Sequence, residues 1–138
     1  MHQKTKKLGI WLDFKEAIIL QVSGSEILLL EEVDSNIEDF HPSGGAPSKT
    51  KFGLGEIVSE KKYLARRKQQ EDAYFQNIIR KIIGENELFI FGPAEAKYGL
   101  RTKILDSKKS PSFIRKVQTT DQMTMNQKKA MVRNFYKV

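Results

Sequence analysis

The chain has 138 residues, of which 39% are hydrophobic and 30% charged, and its formal net charge is +7 at pH 7. This length is enough for one hydrophobic core and too short for two ordinary domains, so we predict a single domain over residues 1–138. The absence of cysteine excludes a disulfide framework and thiolate metal sites. The excess of basic residues favours a polyanionic partner, with nucleic acid as the first candidate.

The sequence gives no support for secretion or for insertion into a membrane. The first residues are basic, as in a signal peptide, but the apolar run that follows is interrupted at Asp13. No stretch approaches the roughly 20 apolar residues that a transmembrane helix needs. We therefore expect a cytoplasmic protein with no membrane partner.

The charges are segregated along the chain. Residues 1–43 carry four Lys and eight Asp or Glu, whereas residues 44–84 carry nine basic and four acidic side chains. Residues 101–138 form a second basic segment, with ten basic and two acidic side chains. A lysine-rich helix can also be a solvated surface without a partner, and that alternative stays open for the last segment.

Short β-prone runs open the chain, at residues 8–14, 17–22 and 26–33, and their tight connections predict a three-stranded meander. Residues 34–58 have no sustained periodicity and contain six Gly and Pro residues, which predicts a long, mobile basic loop. From Ser59, a candidate N-cap, the pattern becomes helical, with a basic middle and an apolar end near residue 83.

The second half of the chain alternates strands and helices. Residues 87–91 form a continuous apolar run before a Gly-Pro pair, and Pro93 suits the first position of a helix that extends to Ile104. Residues 112–118 predict a last strand, and Asp121 is a candidate N-cap for a terminal helix. The order βββαβαβα predicts an α/β fold in which helices flank a mixed β-sheet.

Three segments in a fixed order carry a family resemblance: a basic Gly-Gly loop at residues 41–52, a basic helix at residues 61–68, and a strand that runs through Gly-Pro into a helix at residues 88–97. Together they resemble the middle domain of archaeal and eukaryotic class-1 peptide chain release factors and its stand-alone bacterial relatives. The resemblance covers nearly the whole chain. It implies a fold like that of ribonuclease H and some ribosomal proteins, and it implies the large ribosomal subunit or tRNA as the partner.

The loop departs from this family at one position. In release factors it reads Gly-Gly-Gln and enters the peptidyl-transferase centre, where it promotes hydrolysis of peptidyl-tRNA. Here Gly44 and Gly45 match, but Ala46 replaces the glutamine. The Ala46 N–H is still available to an oxyanion, whereas the side-chain amide that orients or excludes water is lost, and Pro47 favours an extended backbone at Ala46. We therefore take residues 44–46 as a degenerate catalytic site and expect little or no hydrolysis.

Basic and aromatic residues on both sides of the loop are the candidate RNA contacts. They are Lys49, Lys51, Phe52, Lys61, Lys62, Tyr63, Arg66, Arg67 and Lys68. The cationic side chains are expected to contact phosphates, and the two rings to stack on bases. Lys62, Arg66 and Arg67 are spaced so that they are expected to share a broad helix face.

The sequence thus favours an RNA-binding domain like that of a translation factor, acting in the rescue of stalled ribosomes or the occlusion of idle ones. The alternative from another class is an esterase-like rescue factor that hydrolyses peptidyl-tRNA. Whether a second protein delivers the chain is open. No cofactor or metal is indicated, and His41 has no evident carboxylate partner that would make it a catalytic base.

A nuclease is a more distant alternative. Asp13 follows the first strand, where nucleases of the ribonuclease H type hold a metal-binding carboxylate. Such a site needs several converging acids. Glu16, Asp34, Glu60 and Asp106 are available, but no spacing singles them out.

Overall fold

A computed structural model describes residues 5–38, 54–82, 84–107 and 112–138, and for residues 54–58 it describes the backbone only. The element order is βββαβαβα, as predicted. The strands are β1 (Lys6–Leu12), β2 (Glu16–Ser23), β3 (Glu26–Asp34), β4 (Asn86–Gly92) and β5 (Phe113–Thr119). The helices are α1 (Leu54–Lys81), α2 (Ala96–Asp106) and α3 (Met125–Tyr136).

The five strands form one mixed sheet in the order β3-β2-β1-β4-β5. The meander β1-β2-β3 is antiparallel, because its connections are too short for a crossover. The pairs β1–β4 and β4–β5 are parallel, because a helix lies between the partners along the chain. The predicted fold class, a single α/β domain with helices flanking a mixed sheet, is confirmed.

The core consists of one apolar layer on each face of the sheet. Successive side chains of a strand point to opposite faces, so Ile10 and Ile90 pack in the layer under α1 and α2, whereas Trp11 and Phe89 pack in the layer under α3. α3 contributes the fully buried Val132 to its layer. The central strands β1 and β4 are therefore covered on both faces.

The predicted start of the first helix is wrong. α1 begins at Leu54, so Ser59 lies inside the helix and does not cap it. The predicted loop over residues 34–58 also starts too early, because Ser35 is buried and Ile37 packs against the core. Residues 39–53, which form the middle of this loop, lie outside the described residues, so the predicted mobility of the loop stays a prediction.

The predicted start of the last helix is also wrong. α3 begins at Met125, and its N-cap is Thr124 instead of Asp121. The Thr124 hydroxyl accepts a hydrogen bond from the Gln127 backbone N–H at 3.2 Å, and the Gln127 side chain accepts one from the Thr124 N–H at 2.8 Å. This reciprocal capping box satisfies two backbone donors at once, which Asp121 alone would not do.

The turn between β4 and α2 explains why Pro93 is not the first residue of its helix. Gly92 has φ 147° and Ala94 has φ 54°, so the chain passes through two left-handed residues before α2 begins at Ala96. A Cβ atom on Gly92 would lie 2.2 Å from the carbonyl oxygen of Leu12. Lys97 is fully buried, and its ammonium group donates a hydrogen bond to the Ala94 carbonyl and thereby holds the turn.

The close approach at Gly92 generates a stability prediction. Gly92→Ala is expected to lower the free energy of unfolding by more than about 3 kcal/mol, because strain of about 1–3 kcal/mol adds to the displacement of β1. Gly24→Ala is the matched control: Gly24 also has a positive φ, 63°, but nothing lies within 4 Å of its Cβ position. It should cost only about 1–2 kcal/mol. Urea unfolding measures both, and equal losses would contradict the steric argument.

Candidate nucleic-acid interface

α1 is much longer than the sheet that it covers. Its 28 residues correspond to about 42 Å of helix, whereas a strand of seven residues such as β4 spans about 23 Å. Burial follows this difference: no residue from 59 to 73 is buried, and from residue 59 onward the buried side chains of α1 begin at Tyr74. We call residues 59–73 the arm, because this part of α1 contributes no buried residue to the core.

The arm presents three lysines to solvent. Between residues 60 and 68 the sequence has five basic residues and one acidic residue, Glu60. Lys61, Lys62 and Lys68 are exposed, and none of the three forms an ion pair with a residue in the described ranges. Their charges are therefore available to a polyanion.

The two arginines of the arm have different environments. Arg66 is exposed, and its Nη1 lies 3.4 Å from Oε2 of Glu38, whose side chain is equally exposed. Such a pair contributes little stability and exchanges readily for another anion. Arg67 is turned inward: its Nε lies 2.7 Å from Oε2 of Glu71, and its guanidinium lies 5.1 Å from the centre of the Phe14 ring.

Arg67 therefore fixes the base of the arm to the turn between β1 and β2. Its hydrogen bond to Glu71 raises the pKa of the guanidinium. Burial lowers this pKa by a smaller amount, and the half-buried Tyr63 raises it further. The predicted broad face of Lys62, Arg66 and Arg67 is thus divided, with the first two outward and Arg67 inward.

A shallow cleft of about 820 Å³ lies between Arg67, the turn after β1 and the end of β3. Its charges are mixed, because Asp13, Glu16 and Asp34 line it together with Lys15 and Arg67. This balance does not favour a polyanion in the cleft itself, so the lysines on the outer surface of the arm are the better phosphate contacts.

Asp13 has a structural role in this cleft. Its Oδ1 accepts hydrogen bonds from the backbone N–H groups of Lys15, at 2.8 Å, and Glu16, at 2.9 Å, and its Oδ2 accepts one from Gln122 at 3.1 Å. The Asp13 carbonyl accepts a hydrogen bond from the Tyr74 hydroxyl at 2.8 Å. Burial, followed by the Asp13 charge, raises the pKa of Tyr74, which keeps the hydroxyl a donor.

These contacts bear on the nuclease hypothesis. Oδ1 of Asp13 closes the β1–β2 turn, and Oδ2 joins this turn to Gln122, which lies between β5 and α3. Within the described ranges, no group of three or more His, Cys, Asp or Glu residues is arranged to hold a metal ion. A nuclease needs such a group, so this part of the chain gives the hypothesis no support.

The role of Asp13 generates a second prediction. Asp13→Ala should lower the free energy of unfolding by about 1–2 kcal/mol, because two backbone N–H groups lose a charged acceptor. Glu16→Ala removes the same charge from the same cleft, but the Glu16 side chain forms no described hydrogen bond, so stability should change by less than about 0.5 kcal/mol. Thermal unfolding in the presence and absence of Mg²⁺ measures both. A Mg²⁺-dependent stabilisation that Asp13→Ala abolishes would instead identify a metal ligand.

The remaining predicted site residues lie outside the described residues. These are Gly44, Gly45, Ala46, Lys49, Lys51 and Phe52. Sequence reasoning also missed two contacts that support the arm. The Glu38 backbone N–H donates to Gln70 at 3.0 Å, and the Glu38 carboxylate pairs with Arg66. Glu38 lies in a segment without periodicity, so no sequence signal marks it.

The fold is similar to that of a solved translation factor. A crystal structure of the archaeal translation termination factor aRF1 matches 96% of this chain with a TM-score of 0.51 and 15% sequence identity. A structure described as an archaeal protein also covers 96% of the chain, with a TM-score of 0.41 and 13% identity. The chain spans about a third of the length of each, 35% and 34% respectively.

At this level of identity, the likeness to aRF1 concerns the fold. The chain is an α/β domain with the architecture of part of a translation termination factor. No protein-family model matches the sequence, and no curated protein matches it. Among the described helices, none is sufficiently long and apolar to span a bilayer.

Proposed function

We propose that this chain is an RNA-binding domain of the translation-factor type, which contacts the ribosome or the acceptor end of a tRNA through its arm and the adjoining Gly-Gly loop. The observation that carries the proposal is the arm itself. This half of the helix contributes no buried residue to the core, and it exposes Lys61, Lys62 and Lys68, which form no ion pair with a described residue. Phosphate groups are the partners that such a surface suits.

The position of the arm in the chain supports an insertion role. In the sequence, the Gly44-Gly45 pair precedes α1, which begins at Leu54, so the Gly-Gly loop and the arm belong to neighbouring segments of the chain. The glycines permit torsions that let a backbone enter a crowded RNA pocket. The fold likeness to aRF1 agrees with an assignment to the Gly-Gly-Gln middle domain of release factors, which is our proposal for the part of that protein that this chain resembles.

Binding without hydrolysis is the activity that we propose, in the rescue of stalled ribosomes or the occlusion of idle ones in the cytoplasm. Ala46 keeps a backbone N–H for an oxyanion and lacks the amide that would control water. The second candidate is an esterase-like rescue factor, favoured by the retained Gly44-Gly45 pair. The chain does not include the whole length of a factor such as aRF1, so a delivery partner is compatible with either candidate.

The arm generates a prediction on ribosome binding. Lys61→Gln/Lys62→Gln should weaken co-sedimentation with purified ribosomes and lower the slope of log affinity against log salt by about 1 for each lysine that contacts a phosphate. Stability should change by less than about 0.5 kcal/mol, because both side chains are exposed.

The same helix offers a control with an equal change of charge. Arg80→Gln/Lys81→Gln removes two exposed cations from the end of α1 that packs on the core. This variant should bind ribosomes as the wild type does. Equal losses in the two variants would indicate a general charge effect and would contradict the arm as the contact.

The loop generates a prediction on chemistry. The wild-type protein should release no more peptide from stalled ribosome complexes than a no-protein control does, because the water-orienting amide is missing at Ala46. The measurement is release of labelled peptide over time, with Gly45→Ala as the second sample. If the wild-type protein releases peptide well above the control, and Gly45→Ala removes this release, the esterase-like candidate is established in place of binding alone.

A further inference from the structure

A row of exposed leucines lies on the edge strand β3. Leu28, Leu29 and Leu30 are 47%, 45% and 40% exposed, although they are consecutive residues of a strand. In the described part of the chain, β3 pairs only with β2, and no described strand pairs with its other edge. Exposed apolar side chains beside free backbone donors and acceptors are the features of a strand that accepts another.

The register shows why the edge, and not one face, is the docking surface. Leu29 pairs with Leu20 and thus lies on the α3 side of the sheet, whereas Leu28 pairs with Gln21 and lies on the opposite side. Leu30 has no partner on β2, because the register shifts there by one residue. A body resting on one face would cover only part of this row. A strand added along the edge would flank all three leucines.

The charge of β3 selects the kind of strand. β3 carries Glu26, Glu31, Glu32 and Asp34 and no basic residue. Two copies paired along this edge would bring together two strands that each carry four acidic residues and no basic residue, and like charges close together are destabilising.

We propose that the free edge of β3 binds an extended segment of a partner protein, in which two adjacent apolar residues are flanked by Lys or Arg, as a sixth strand of the sheet. The leucines cover the apolar side chains of the segment, and the glutamates pair with its cations. This inference does not depend on RNA binding, because β3 contributes none of the arm residues.

The test is an NMR titration of the ¹⁵N-labelled full chain with a short synthetic peptide in which a central Leu-Val pair is flanked on each side by Lys residues. The peptide should shift the amide resonances of β3 and slow their hydrogen exchange. Leu28→Thr/Leu29→Thr should weaken binding by about tenfold or more, since it removes the apolar cover and keeps the charges. A second variant, Glu26→Gln/Glu32→Gln, keeps the leucines and should also weaken binding.

Two peptide controls separate strand addition from charge attraction. The first peptide is N-methylated at alternate residues, so it keeps its side chains but loses backbone donors, and it should not bind. The second peptide has Glu in place of Lys, and it should not bind either. Resonances that do not move at β3, or equal binding of the N-methylated peptide, would overturn the proposal. Analytical ultracentrifugation tests for self-association. If the chain self-associates and Leu28→Thr/Leu29→Thr abolishes this, the edge binds a second copy of the chain, and the proposal of a partner protein is overturned.

Discussion

The mismatch in length between α1 and the sheet determines the organisation of this domain. Among the described side chains of α1, the buried ones begin at Tyr74, and Phe75 and Ile78 pack on the core, so the arm must be stable in water. A helix segment without tertiary packing depends on helix propensity and on side-chain pairs, and the arm is accordingly rich in Glu, Lys, Arg and Gln. The composition that stabilises the arm in water is also the composition that suits a polyanion.

The base of the arm is held by polar contacts to the loops at the carboxyl ends of the strands. Tyr74 donates to the Asp13 carbonyl, Arg67 packs on Phe14, and Glu38 contacts both Arg66 and Gln70. Each contact alone is modest, but together they join the helix to two separate loops. The direction of the arm relative to the sheet is therefore set by the same turns that close β1, β2 and β3.

The sequence predicted the element order and the mixed sheet, because apolar periodicity and connection length decide both. It failed at the helix starts, because these depend on particular local contacts: the capping box at Thr124 and the left-handed pair Gly92 and Ala94. The exposure of Lys61 and Lys62 was predictable from polarity. The inward position of Arg67 was not, because it depends on Phe14, which is distant in sequence. A run of leucines in β3 likewise reads the same whether it is buried or lies at an edge.

The contact between Gly92 and Leu12 also affects where this fold can bind anything. β1 and β4 are the central parallel strands, and their neighbours lie on opposite sides, so their carboxyl ends form the topological switch point at which α/β sheets commonly bind small ligands. Here the backbone of Gly92 lies so close to the Leu12 carbonyl that not even a methyl group fits between them. The gap between these two strand ends is therefore closed to a side chain, and the open cleft lies beside it, between the turn after β1 and the end of β3.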